Sequence, residues 1–375
     1  MTNASAFADL YLDVNLLLIV ACLLSSLALL ALRAVGLAHA VSTQLNILRW
    51  AFVAGVVCPI AVSVMARLVG GPHLGAVAPL NLTDFIVAQY LQGRIQMNPI
   101  AMESLLSTRE TLLQSVLGAT EVWSQILLLL ASAGFAFFAL RLVAATLRLR
   151  QIMSETFLWR RFGSIELRLS DTVAVPFTTR GLRRRYVVIP TAMLSREEDL
   201  RFAIGHEFQH LRQGDVEWEI VVELLRPLFF WNPAFLLWRR QIGTVRELSC
   251  DRRLMARRRL NVDAYCRCLL TVCDNHMRPR RVGVVGLPAV GLVQEQGGLL
   301  RRRMIALIEA RAEPRAGVLS AMVALPLVAL ILCAALALQR SGDWSQDRLM
   351  LSTIINLERL AVINATTARF GLPAW

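Results

Sequence analysis

The 375-residue chain has no lysine: all 40 of its basic residues are arginine. That absence excludes the Ser-x-x-Lys acylation of penicillin-binding domains. Histidine is scarce, at five residues, so a pair at metal-ligand spacing carries weight. The seven cysteines are scattered, and Cys22, Cys58 and Cys333 fall inside long apolar runs, which argues against a disulfide framework. Cys266, Cys268 and Cys273 with His276 do not form a convincing second metal site, because positions 266 and 268 point to different faces of a helix. Charge is also sparse: 18% of residues are charged and 56% hydrophobic, with a mean hydropathy of +0.53. An ordinary soluble domain does not have that balance.

What is present in quantity is apolar sequence in runs long enough to cross a bilayer. Four such runs stand out, at about Val14 to Leu32, Ile47 to Leu68, Ser124 to Val143 and Val318 to Leu338. Pro59 and Pro326 lie inside two of them, as membrane helices tolerate. Asp9 and Asp13 precede the first run and no basic residue does, so it reads as a retained anchor with an external N-terminus and not as a cleaved signal. Arginine sets the expected orientation. Residues 147–316 hold 30 arginines against 18 acidic residues, whereas the rest of the chain holds 10 against 9. By the positive-inside rule the middle segment is cytoplasmic, with Arg33 and Arg49 in a cytoplasmic loop between the first two runs.

Within that middle segment lies His206-Glu207-Phe208-Gln209-His210. On a helix, residues four apart face the same way, so both imidazoles can meet one ion. The His-Glu-x-x-His pattern is the zincin signature, in which the histidines bind zinc and the glutamate is general base toward the attacking water. The bland alternative is an amphipathic helix with two surface histidines. Context favours a real helix: Ser195 and Glu198 have capping-box spacing, Leu200, Ala203, Ile204, Phe208 and Leu211 recur at helical period, and Gly214 can close the end. Glu207 lies about 100° around the helix from His206, beside the metal's open position.

A catalytic zinc needs a third protein ligand. The run from Val245 to Arg259 reads as a second helix on which Glu247 and Asp251 share a face. Glu247 completes a His, His, Glu set; Asp251 accepts the free ring N–H of a ligand histidine. Taken alone, the two would be an exposed acidic pair among arginines. Cys250 is expected to pack near the site without reacting. Tyr265 and His276 are candidates for stabilising charge in the transition state, although no motif places either.

Val187-Val188-Ile189-Pro190, the helix ending Gly214-Asp215, Trp231-Asn232-Pro233 and Glu247-Leu248-Ser249-Cys250-Asp251 occur in the order and spacing of the BlaR/MecR family of membrane zinc peptidases, which the chain resembles. The resemblance extends more loosely from Leu16 to about Leu338. It implies a cytoplasmic domain of the gluzincin type that relays an external signal by proteolysis, usually of a transcriptional repressor. Antibiotic sensors of this type carry a large external penicillin-binding domain. Here residues 340–375 follow the last run and no lysine is present, so covalent β-lactam sensing is not expected.

The expected architecture is therefore a polytopic α-helical membrane protein with an α+β gluzincin-like domain. Residues 1–146 form a membrane region with an external loop at 69–123, residues 147–316 the peptidase domain, 317–339 the fourth span and 340–375 an external tail. Ile165 to Leu169, Val173 to Thr178 and Tyr186 to Ile189 read as short strands, either core support or an edge that aligns substrate. Val216 to Leu237 is aromatic yet charged, and reads as two short helices broken at Pro227 and at Asn232-Pro233. Its rings either pack on the domain or dip into the adjacent leaflet.

The expected function is that of a bacterial inner-membrane zinc metalloendopeptidase in regulated signalling. Its substrate would be a repressor, another membrane-proximal protein or the chain itself. Membrane lipid, a separate sensor protein and a second copy of the chain are further candidate partners. Nucleic acid is disfavoured, since the arginines form short scattered groups with no recognition framework. The alternative is a non-catalytic receptor or scaffold with a structural zinc, against which an intact Glu207 speaks.

Overall fold

The computed structural model describes residues 3–69, 121–181, 183–258, 261–277, 289–309 and 316–338, with scattered positions in 87–119 and residues 350–357 and 360–361. Among the described residues, four helices are long and apolar enough to cross a membrane. They are α1 (Asn3–Ala34), α2 (Val41–Val69), α3 (Val122–Ser154) and, near the C-terminus, α9 (Ala316–Leu338). All four expected spans are thus helical, and α3 runs well past the apolar stretch that announced it. Beyond Arg141 the sequence continues with leucine, alanine, arginine and glutamine, good helix formers that carry the helix out of its apolar portion.

Between α3 and α9 come four strands, β1 (Phe157–Phe162), β2 (Ile165–Ser170), β3 (Phe177–Arg180) and β4 (Arg185–Pro190). Helices α4 (Glu197–Gln213), α5 (Asp215–Phe229), α6 (Pro233–Arg258), α7 (Val262–Met277) and α8 (Ala289–Ile308) follow. The sheet order is β1-β2-β4-β3, with β2 and β4 parallel and the other pairs antiparallel. Strand β1 escaped the sequence reading because its residues, Phe-Leu-Trp-Arg-Arg-Phe, do not alternate cleanly. The strand expected at Val173 to Thr178 is displaced: only Phe177–Arg180 pairs, since Pro176 has no N–H to give a ladder.

The chain divides into two compact units. One comprises Met1–Ser25, Trp50–Ser132 and Ala324–Trp375; in it Gly55 lets α2 approach Leu18 and Ala21 of α1 closely. The other comprises Ser26–Arg49 and Ala133–Val323, and it holds the His206 helix. Its core has two parts on opposite sides of α4. Leu167, Val187 and Ile189 of the sheet pack with Leu200, Ala203 and Leu211. Phe202 packs instead with Leu254, Ala264, Tyr265 and Leu307 of the later helices. Helix α4 is therefore clamped between a sheet and a helical layer, and its histidines cannot reorient freely.

Two details of the sequence reading need correction. The capping box does not form: α4 starts after Arg196, no side chain caps it, and the Ser195 hydroxyl donates instead to the Ala192 carbonyl. Three acidic residues in the first turn, Glu197, Glu198 and Asp199, complement the helix dipole in its place. Pro227 does not break α5 but lies inside it, whereas the break at Asn232-Pro233 occurs where expected, with the Asn232 side chain accepting the Ala234 N–H.

Candidate metal centre

Helix α4 ends at Gly214, whose φ of +67° is the left-handed conformation that glycine adopts without strain. Its N–H caps the His210 and Leu211 carbonyls, and the reversal brings Asp215 back against the helix. Asp215 Oδ2 lies 2.6 Å from His210 Nδ1. The other oxygen, Oδ1, accepts a short hydrogen bond from Arg49, which also donates to the Gln213 carbonyl at 3.0 Å and lies over the Trp218 ring. Arg49 therefore does not serve as a free loop charge. It belongs to the part of α2 that lies in the same unit as the site.

His206 is held by a different set. Its Nδ1 lies 3.0 Å from the Tyr265 hydroxyl and 3.3 Å from Asp251 Oδ1. Tyr265 donates to Asp251 at 2.7 Å, and Arg303 of α8 grips Asp251 with two N–H donors, both at 2.7 Å. Burial opposes the charge on Asp251, but Arg303 outweighs it and holds the carboxyl below its usual range. Burial and the adjacent Asp251 push the Tyr265 hydroxyl well above its ordinary value, so it remains a donor.

With both Nδ1 atoms engaged, the Nε2 atoms converge, 3.1 Å apart. Glu247 of α6 faces them, with Oε2 3.5 Å from His206 Nε2 and Oε1 3.7 Å from His210 Nε2. Burial opposes its charge too, yet the two imidazoles and Arg303 keep the Glu247 carboxyl well below the usual range. His210 is shifted the other way: burial would lower it, but the hydrogen bond to Asp215 prevails and raises it to about 10. The cluster of His206, His210 and Cys250, with donor atoms within 4.8 Å of one another, could hold a metal. Cys250 Sγ interacts with His210 and stands 3.5 Å from His206 Nδ1, the ring nitrogen that Tyr265 and Asp251 already engage.

Glu207 is buried beside the histidines, and the Thr178 hydroxyl of β3 donates a short hydrogen bond to its carboxylate. A cavity of about 840 Å³ opens over this group. Its walls include Phe177, Thr178 and Thr179 of β3 and, opposite, Leu142, Val143 and Leu147 of α3. Strand β3 is an edge of the sheet, so one side of it is not paired within the sheet.

Residues 16–304 match the family described as BlaR1 peptidase M56. The chain belongs to that peptidase family. Comparison with curated proteins gave no match. A membrane peptidase of this family calls for a metal site and several apolar helices, and the chain has a cluster suited to the first and four examples of the second.

The structure brings His206, His210, Glu207, Glu247 and Asp251 of the M56 chain together. Tyr265 is also present, but in a different place from the one expected of a transition-state stabiliser. It contacts Nδ1 of His206 and is 1% exposed, so it stands behind the ring and orients it. The side chain of His276, near the end of α7, lies outside the described residues. Sequence reasoning missed Asp215, Thr178, Arg49 and Arg303. Asp215 had a signal, an acid directly after a helix-closing glycine; the other three had none, because their partners are remote in sequence.

Proposed function

We propose that this M56 chain is a zinc endopeptidase in which His206 Nε2, His210 Nε2 and Glu247 hold the metal. The spacing of the three donor groups, 3.1, 3.5 and 3.7 Å, supports this set. Ligands about 2.0–2.1 Å from a tetrahedral ion stand ~3.3 Å apart. Zinc suits two imidazoles and a carboxylate, and when bound it would polarise a peptide carbonyl and acidify a water molecule. Cys250 is a poorer third ligand, because it approaches the wrong nitrogen of His206.

The observation that carries a catalytic reading is Glu207, buried at the mouth of an open cavity and fixed by Thr178. A structural site would be closed by a fourth ligand and would need no base. Glu207 accepts a proton from the attacking water and returns it to the leaving amine. Asp215 and Asp251, each bonded to one histidine, keep the ring protons on Nδ1 and the Nε2 lone pairs free. The open edge of β3 suits an extended substrate, whose backbone would add as a further strand along the cavity.

The deciding test is Glu207→Gln, which keeps size and zinc content while removing the base. Proteolysis of candidate substrates, the chain itself included, is expected to fall by about 10²- to 10⁴-fold. Unchanged cleavage and unchanged signalling would leave the receptor or scaffold reading standing. The arginine distribution supports a bacterial inner-membrane protein with residues 147–316 in the cytoplasm, where a repressor could be cut. A reporter fused after Arg150 should then behave as cytoplasmic and one after Trp375 as external.

A further inference from the structure

The hairpin of α5 and α6 presents an apolar surface that the site does not use. Trp231 and Leu237 are 48% and 54% exposed, and Leu228 and Leu236 are exposed beside them, whereas Leu224 lines the cavity over the metal group. Other rings of the same segment behave differently: Phe229, Phe235 and Trp238 are buried, and Trp238 donates to the Leu48 carbonyl. The exposed group is thus a distinct face at the tip of the hairpin.

Its depth can be read from α3. Between Glu121 and Arg141 lie 19 uncharged residues, about 28 Å of helix at ~1.5 Å per residue, which matches a hydrocarbon core of ~30 Å. Arg141 therefore marks one edge of the core. The Phe230 ring packs directly on Gly134, where any Cβ would collide with it, and lies 5.5 Å from the Phe138 ring. Those contacts are seven and three residues inside Arg141, so the ring lies ~5–10 Å below the hydrocarbon edge. The charges of the hairpin reach only the shallower of those two contacts. Arg226 sits 4.8 Å from the centre of the Phe138 ring and pairs with Glu223, which also binds Arg239.

We propose that the tip of the α5–α6 hairpin is embedded in the membrane leaflet on the metal-site side, with lipid acyl chains covering Trp231 and Leu237. Lipid is the occupant because Phe230, next to Trp231, packs on Gly134 and Phe138 of α3, whose neighbours Phe135 and Phe137 are themselves exposed within the span. The depth matches that of helices lying at the boundary of headgroups and acyl chains. Glu223 pairs with both Arg226 and Arg239, which leaves a net positive charge suited to the headgroup level, where long side chains can reach water. The inference does not depend on peptidase activity.

The test uses the full chain in phosphatidylethanolamine–phosphatidylglycerol nanodiscs, with a benzophenone amino acid in place of Trp231 or, separately, Leu237. The same probe at Leu325, exposed on α9, is the lipid-facing control, and at Arg212 the aqueous control. Illumination should give lipid adducts at 231, 237 and 325 and none at 212. Adducts at 325 alone, or cross-links from 231 to a second copy of the chain, would overturn the proposal. A second arm keeps the native surface: lipids brominated on the acyl chain should quench the unsubstituted protein more than Trp231→Phe. Equal quenching of the two would count against the embedded tip, even if the probe variants fail to fold.

Discussion

Asp215→Asn tests the claim that Arg49 and His210 share one carboxylate. Asp215 has a side chain 3% exposed, and its two oxygens serve two donors, Arg49 at Oδ1 and His210 Nδ1 at Oδ2. Asparagine offers one oxygen. If that oxygen serves His210, the amide N–H₂ faces the guanidinium and a buried arginine loses its counter-charge. If it serves Arg49, the amide donates to His210 Nδ1, which moves the ring proton to Nε2 and blocks metal binding. Breaking a buried pair from one side costs about 3–5 kcal/mol, and disturbing a partner of a ligand histidine costs about 10- to 100-fold in metal affinity. Asp215→Asn should therefore lose both thermal stability and zinc affinity, read by unfolding in detergent micelles and by chelator competition. Adding Arg49→Met removes the orphaned charge and frees the asparagine oxygen for His210. The double variant should recover most of the stability and bind zinc within about tenfold of the unsubstituted chain. Unchanged zinc affinity in the single variant, or a double variant no better than the single, would refute the shared-carboxylate reasoning.

Thr178→Val keeps the shape of β3 but removes the donor to Glu207. A hydrogen bond to a charged group contributes about 1.5–3 kcal/mol, so kcat should fall by roughly ten- to a hundredfold with zinc content unchanged. Tyr265→Phe distinguishes orienting from transition-state roles: zinc affinity should drop about tenfold, whereas a lost oxyanion donor would lower kcat by about 10²–10³ with affinity intact. For pH, His210 has a folded value of about 10 against an ordinary 6.5. Its proton stabilises the metal-free protein fully below about pH 6.5, and this contribution is lost as pH rises through about 10. Metal binding displaces that proton, and His206 is raised well above its ordinary value too, so zinc affinity should rise by at least about tenfold per pH unit between 6 and 8. A flat profile in chelator competition would contradict the assignment.

The His206 helix and the four apolar helices were legible in the sequence because both depend on local order. Two histidines four apart on an amphipathic period define a shared helix face whatever surrounds them, and an apolar run of about twenty residues has few soluble alternatives. Gly214 was legible for the same reason, since its conformation is set by its own lack of a side chain. What sequence could not supply was the pairing of groups that meet only when layers pack. Arg49 lies 166 residues before Asp215 and Arg303 lies 52 after Asp251, and no periodicity links them. Nor could it say that Thr178 would reach Glu207, because β3 is placed against α4 by its ladder with β4. The aromatic stretch from Val216 to Leu237 shows the division most clearly. Its composition announced two helices and an ambiguous set of rings, and packing then buried Phe235 and Trp238 while leaving Trp231 exposed. Local sequence determines which helices and which chemical groups exist; tertiary structure decides which charges neutralise one another, because desolvation makes that choice only where elements meet.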